Sequence, residues 1–282
     1  MTTLTEHPLR IPGWRHVVLL EGPEGGWGEW SPLPGYPSDP AVCRRAAEEA
    51  ARREWPLPRR SRVRVNTLVP AVPPGEAAAL AAGSCDVKVK VGDDGDVDRV
   101  AAVREAIGPR GRLRVDANGA WDVERAVTAI ARLAPYDLEL VEQPVASLQD
   151  LAAVRRRLAV PVAADECVRD LDDARRLAQL RAADALVVKV QPLGGFTATF
   201  EVAAAAGVPV IVSSMHETSI GLAAGLALAA ALDELPYACG LGTAGLLPAD
   251  VVADPLLPED GWLAVRRPVP DPALVARYEA GG

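Results

Sequence analysis

From Arg62 onward the chain alternates two patterns: short runs rich in Val, Leu and Ala, and longer stretches whose apolar positions recur at helical spacing. Short apolar runs bounded by turn residues predict buried strands, and the longer stretches predict amphipathic helices. The strands read as RVRVNTLV, CDVKVKV, RLRVDAN, LELVEQ, VPVAADE, ALVVKVQ, VPVIVSS and YACGLG. Helices fall between them at 76–82, 97–107, 123–133, 148–158, 171–180, 196–206 and 220–235. Gly83, Gly108 and Gly207 suit helix ends, and Asp96, Asp122, Ser147 and Asp170 suit helix starts. Alternation repeated this often predicts an α/β fold of TIM-like (β/α)7β barrel type, with the last strand running into a Leu/Pro-rich segment.

Residues 1–61 follow no such repeat. They hold Trp14, Trp27, Trp30 and Trp55, a strand at 17–21, a Gly25-Gly26 turn into 27–30, and a charged helix from Pro40 to about Arg53. This predicts a small α+β capping domain at 1–61, a barrel at 62–254, and a tail at 255–282 that packs back on the cap. The Pro/Gly-rich stretch around Leu33–Tyr36 is the kind of loop that covers a site.

Composition sharpens the picture. With 282 residues, 49% of them apolar, the chain can bury a large core, and a net charge of −8 argues against nucleic-acid or basic membrane-surface partners. The N-terminal residues lack the apolar core of a signal peptide, and no apolar run reaches spanning length, so the chain reads as cytoplasmic. Cys43, Cys85, Cys167 and Cys239 lack metal or redox spacing and read as buried small residues. No obligate protein partner is implied.

The candidate chemistry lies in the cations. The chain has 27 arginines but only three lysines, Lys88, Lys90 and Lys189, all at strand ends. Arginine stays protonated, whereas a buried lysine can give up its proton, so these positions want an amine that switches state. Between them Asp116, Glu142 and Asp165 also end strands; the steps from Lys90 to Lys189 are 26, 26, 23 and 24 residues, one strand-helix period each. In parallel barrels chemistry gathers at these C-terminal strand ends. Period-two alternation puts Lys88 with Lys90, and Arg114 with Asp116 and Asn118, on the interior face, and turns Glu166 away from Asp165. Three convergent carboxylates need a counter-charge, and an oxygen-only set selects a hard cation, Mg²⁺ by default. Beside such an ion an amine loses its proton more readily than its free value of about 10.4 suggests, and can take the α-proton of a bound small-molecule carboxylate.

The motifs KVKVG, RVDANG, VEQP, ADE and KVQPLGG, in that order and spacing, resemble the enolase superfamily, muconate lactonizing enzyme subgroup. SSMHETSIGL, GLGT and the cap segment GWGEWSPLPG are most similar to its actinobacterial-type dehydratases that form o-succinylbenzoate. The resemblance implies Asp116, Glu142 and Asp165 as Mg²⁺ ligands, with Mn²⁺ as a substitute. It implies Lys90 as the group that takes the α-proton and protonates the departing hydroxyl, and Lys189 as the cation opposite. Lys88 reads as a cation that depresses the pKa of Lys90 or, alternatively, as the counter-ion of Asp116. Arg114, an expected ion-pair partner of a ligand carboxylate, falls with Asn118, Ser213, Ser214 and Gly240 at second-shell or substrate-contacting positions. Backbone N–H groups of 240–243 would hold a second carboxylate. The implied reaction is dehydration of 2-succinyl-6-hydroxy-2,4-cyclohexadiene-1-carboxylate, on the way to menaquinone. N-succinylamino acid racemases, epimerases and cycloisomerases of the superfamily form the alternative, and a metal-free Schiff-base aldolase is a further one. His216 reads as a polar loop residue, the role of Glu217 stays open, and Gly194-Gly195 as the opening of a helix.

Overall fold

The computed structural model describes residues 3–279. Strands β1 (Thr5–Arg10), β2 (His16–Glu21) and β3 (Trp27–Trp30) form an antiparallel sheet, followed by helix α1 (Pro40–Ala51). Gly28 lets β3 lie flush on α1, because a Cβ there would collide with the Ala47 carbonyl.

The rest of the chain supplies β4 (Arg62–Arg64), β5 (Thr67–Val69), α2 (Pro74–Ala81), β6 (Asp86–Lys90), α3 (Asp96–Ile107), β7 (Arg112–Asp116), α4 (Val123–Leu133) and β8 (Leu138–Glu142). Then come α5 (Leu148–Arg155), β9 (Val162–Ala164), α6 (Leu171–Leu180), β10 (Ala185–Val188), α7 (Val190–Leu193), α8 (Phe196–Ala206), β11 (Val210–Val212), α9 (Ser219–Ala231), β12 (Trp262–Ala264) and α10 (Pro272–Glu279). Strands β5 to β11 form one seven-stranded parallel sheet in sequence order, curled with helices outside. Asp122, Ser147 and Asp170 cap their helices through side-chain oxygens. Asp96 instead lies inside the first turn of α3 and accepts the Gly92 and Asp93 N–H groups.

The first expected strand is split. Arg62–Arg64 turns away to pair antiparallel with Trp262–Ala264, and only Thr67–Val69 joins the parallel sheet. The eighth expected strand, YACGLG, forms no continuous strand. Single parallel bridges, Val65 with Cys239 and Ser213 with Gly240, tie it to both edges of the sheet. Cys85 is exposed rather than buried, and the other three cysteines are buried and free. No helix among the described residues is long and apolar enough to cross a membrane.

Alternation along each strand sorts two cores. Val87, Val89, Leu113, Val115 and Val141 face the helices, while Leu140, Ala163, Ala185, Val187 and Ile211 fill the concave interior. That inner plug is the floor on which the polar layer rests. A third cluster joins Val275 and Tyr278 of α10 to Leu9, Ile11, Val17 and Leu19 of the antiparallel sheet.

Candidate active site

Parallel register sets the candidate residues at one level. Lys90 stands opposite Asp116 and Asp116 opposite Glu142, so three adjacent strands present their last interior side chain side by side. Asp165 follows β9 by one residue and Lys189 follows β10 by one, completing the arc. Lys88, Lys90, Asp116, Asn118, Asp165, Lys189, Ser213, Ser214 and Gly240 line one cavity of about 80 Å³. Glu142 reaches this layer through Lys88.

The contacts form two linked groups. Lys88 Nζ donates to Glu142 Oε1 at 2.8 Å and lies 3.1 Å from Asp116 Oδ2. Lys90 Nζ donates to Asp116 Oδ2 and to Asn118 Oδ1, each at 2.6 Å. Across the cavity Lys189 Nζ donates to Asp165 Oδ1 at 2.5 Å and stands 4.4 Å from the centre of the Tyr36 ring. Gln143 holds the turn, its side-chain oxygen accepting the Asp165 N–H at 2.6 Å.

Electrostatics follow from burial. Desolvation pushes Asp116 upward, but the ammonium groups of Lys88 and Lys90 outweigh it and hold the carboxyl well below its ordinary range. Glu142 goes the other way, to about 8, through burial and repulsion by Asp116 and Asp165 that Lys88 only partly offsets. Lys88 and Lys189 are buried, which alone would favour loss of a proton; the surrounding carboxylates raise both instead. His216 is lowered to about 4 by burial and by Lys90 and Arg15, so it is neutral.

Three expectations need correcting. Arg114 does not reach any of the three carboxylates: it lies one layer below, donating to Glu139 Oε2 at 2.5 Å and to the Ala238 carbonyl at 2.7 Å. Strand level alone does not decide this, since Lys88 stands in register with Arg114 and still reaches Asp116; Glu139 and the Ala238 carbonyl hold the Arg114 guanidinium below. Lys88 has both Asp116 and Glu142 as partners, the contacts of the counter-ion alternative. The N–H of Gly240 is already bonded to the Val212 carbonyl at 2.8 Å and is not free for a substrate carboxylate. Glu166 does not turn away: β9 ends at Ala164, the pleat ends with it, and the Glu166 side chain returns to the cavity wall, where Oε1 accepts from Asn118 Nδ2 at 2.8 Å.

The cavity also has walls that the sequence did not single out. Asn66, Leu68 and Met215 contribute, and Ser214 is tied up with Thr243 at 2.8 Å. Leu33 and Tyr36 close the mouth. Behind that wall Glu29 of β3 accepts from Ser31, Thr218 and the Gly221 N–H, and Glu217 accepts from the Met215 N–H. Glu217 therefore braces the loop after β11 rather than facing the cavity.

As placed, no three His, Cys, Asp or Glu side chains among the described residues stand close enough to share an ion. Instead Lys88 bridges Asp116 and Glu142, Lys90 pairs with Asp116, and Lys189 pairs with Asp165. In kind the set still fits a hard divalent cation. All donors are buried carboxylate oxygens, the ligand type that such an ion selects.

Residues 75–271 match the family described as Enolase C-terminal domain-like, and the chain belongs to the enolase superfamily. It is 54% identical over 263 residues to o-succinylbenzoate synthase of Thermobifida fusca (strain YX), covering 90% of this chain and 82% of that one. Identity to o-succinylbenzoate synthase of Mycobacterium marinum (strain ATCC BAA-535 / M) is 46% over 269 residues, covering 92% and 81%. Among solved structures it is similar to a dipeptide epimerase from Enterococcus faecalis V583, with TM-score 0.82, 25% identity, and 95% and 98% of the two chains covered. A muconate cycloisomerase from Pseudomonas fluorescens shares the fold at TM-score 0.85 and 22% identity, with 98% of each chain covered.

Proposed function

We propose that the chain is an Mg²⁺-dependent o-succinylbenzoate synthase, dehydrating 2-succinyl-6-hydroxy-2,4-cyclohexadiene-1-carboxylate to o-succinylbenzoate on the route to menaquinone. The observation that carries this reading is the position of Lys90 and Lys189, on different strand ends of one cavity with Asp116 and Asp165 between them. The curled sheet, joined across its gap by 239–240, reads as a (β/α)7β barrel at 62–254. The segment 1–61 with the tail from 255 reads as its cap.

In this mechanism Asp116, Glu142 and Asp165 would hold Mg²⁺, with Lys88 as the cation that keeps Asp116 and Glu142 together. The ion would acidify the α-proton of a bound carboxylate and stabilise the resulting enediolate. Lys90 takes that proton on its amine nitrogen as the C–H bond breaks, and Lys189 supplies positive charge from the other side. The resulting Lys90 ammonium then protonates the departing hydroxyl; the C–O bond breaks, water leaves and the ring becomes aromatic. Leu33 and Tyr36 exclude solvent from above. The same two amines could serve as paired bases of an N-succinylamino acid racemase, which makes racemisation the second reading.

The test is conversion of the cyclohexadiene substrate with and without Mg²⁺ or Mn²⁺, together with α-deuterium exchange in an N-succinylamino acid. Aromatisation that depends on the divalent ion and disappears in Lys90→Ala supports the reading. Exchange of the amino acid with no aromatisation would replace it with the racemase. Removing a proton-transfer group of this kind costs about 10²–10⁴-fold in rate.

A further inference from the structure

We propose that Glu166 is a positioning residue for Lys90, acting through the side-chain amide of Asn118. This rests on the reading of Lys90 as the proton-transfer group. Lys90 Nζ donates to Asn118 Oδ1 at 2.6 Å, and Asn118 Nδ2 donates to Glu166 Oε1 at 2.8 Å. The polarity is forced at both ends. An amine that donates needs the amide oxygen, which turns the amide NH₂ toward Glu166, and that NH₂ needs an acceptor, here Glu166 Oε1.

Asn118 by itself would be a poor guide for Lys90. It is exposed, and its amide could rotate in solvent. Two restraints fix it. Its backbone sits at φ 45°, in the left-handed region that Asn tolerates, with its N–H donating to Asp116 Oδ1 at 3.0 Å. Glu166 anchors the other end of the side chain. That anchor lies in the cavity wall with Oε2 buried and without a partner. A buried unpaired carboxylate oxygen costs stability, so packing alone does not account for Glu166.

The chemistry asks for this restraint. As ammonium or as neutral amine, Lys90 can donate one N–H to Asn118 Oδ1, and that bond sets where the lone pair of the neutral form points. In the proposed mechanism Asp116 serves the metal, which leaves Asn118 to orient the amine.

The test is steady-state kinetics of Glu166→Ala, Glu166→Gln, Asn118→Ala and the Glu166→Ala/Asn118→Ala pair on the full chain. Lys90→Ala is the control, and the primary isotope effect is read with α-deuterated substrate. We expect kcat of Glu166→Ala to fall about 10- to 100-fold with KM nearly constant, the scale of a misoriented reacting group. The isotope effect on kcat should rise, Glu166→Gln should recover most of kcat because its amide oxygen still accepts from Asn118, and the double variant should be no slower than the single ones. Wild-type kcat in Glu166→Ala, or Glu166→Gln as slow as Glu166→Ala, would overturn the relay while leaving Lys90 in its role. Full activity in Lys90→Ala would instead remove the reading beneath it.

Discussion

The hydroxyl of Tyr36 donates to Asp165 Oδ1 at 2.9 Å, joining positions 129 residues apart. Its ring also covers Lys189 Nζ, so one side chain of the N-terminal segment touches a carboxylate and an amine on the opposite wall. Tyr36 is half-buried between the cavity and a larger outer cleft, and Leu33 lies beside it. The hydroxyl also accepts from Lys189 Nζ at 3.3 Å, so the loop is latched to the strand ends through this one oxygen. Tyr36→Phe keeps the ring and removes the latch. A hydrogen bond to a charged group contributes about 1.5 kcal/mol or more, so KM should rise roughly tenfold while kcat changes little. A kcat loss without a KM change would show that the hydroxyl acts in the chemical steps instead.

Lys88 holds two buried carboxylates that otherwise repel each other, at 2.8 Å from Glu142 and 3.1 Å from Asp116. Lys88→Met leaves both without that cation, and breaking a buried pair from one side costs about 3–5 kcal/mol. The variant should unfold at lower temperature than the wild type. If the carboxylates bind Mg²⁺, adding the ion should raise the unfolding midpoint of the wild type in a concentration-dependent way, and EDTA should reverse it. Calorimetry with and without Mg²⁺ measures both effects. A wild-type midpoint indifferent to Mg²⁺ at millimolar concentration would count against the ligand assignment.

What could be read beforehand, and what could not, follows from how far the pleat extends. Inside β6 and β7 side chains alternate, so Lys88, Lys90, Arg114 and Asp116 were legible as one face. Alternation says nothing about height, however, and Arg114 turned out one layer down with Glu139. Beyond Ala164 the strand has ended, and a rule for strands mispredicted Glu166. Tyr36 shows a different limit. Its loop was recognisable from Pro and Gly, but which side chain faces the cavity depends on contacts made across the whole chain.

Glu29 gives the pH dependence. Burial, then repulsion by Glu217, raise its carboxyl from 4.5 to about 7, although Ser31, Thr218 and Arg15 favour the charged form. A raised acid binds its proton more tightly in the folded state. Its contribution to stability is therefore full below pH 4.5 and is lost as pH rises to about 7. A shift of this size corresponds to about 3 kcal/mol across the window. Glu29→Gln should remove that slope, so the stability difference between variant and wild type should change in the variant's favour from pH 4.5 to 7. Denaturant titrations at matched pH values measure it; parallel curves would show that Glu29 does not carry a proton in the folded protein.

Arg114 separates support from substrate contact. It is 1% exposed, sits over the Tyr237 ring at 5.4 Å, and bonds Glu139 and the Ala238 carbonyl. The segment it grips includes Cys239 and Gly240, which bridge to Val65 and Ser213 across the gap in the sheet. Arg114 thus ties the middle of the sheet to the segment joining its two edges, beneath the cavity rather than in it. Arg114→Met preserves much of the volume but leaves Glu139 without its closest cation and the Ala238 carbonyl without its donor. Removing one partner of a largely buried pair costs about 3 kcal/mol, enough to lower the unfolding midpoint by several degrees in a chain of this size. At temperatures where the variant remains folded, KM should stay at the wild-type value. A raised KM with an unchanged midpoint would return Arg114 to the substrate-contacting group.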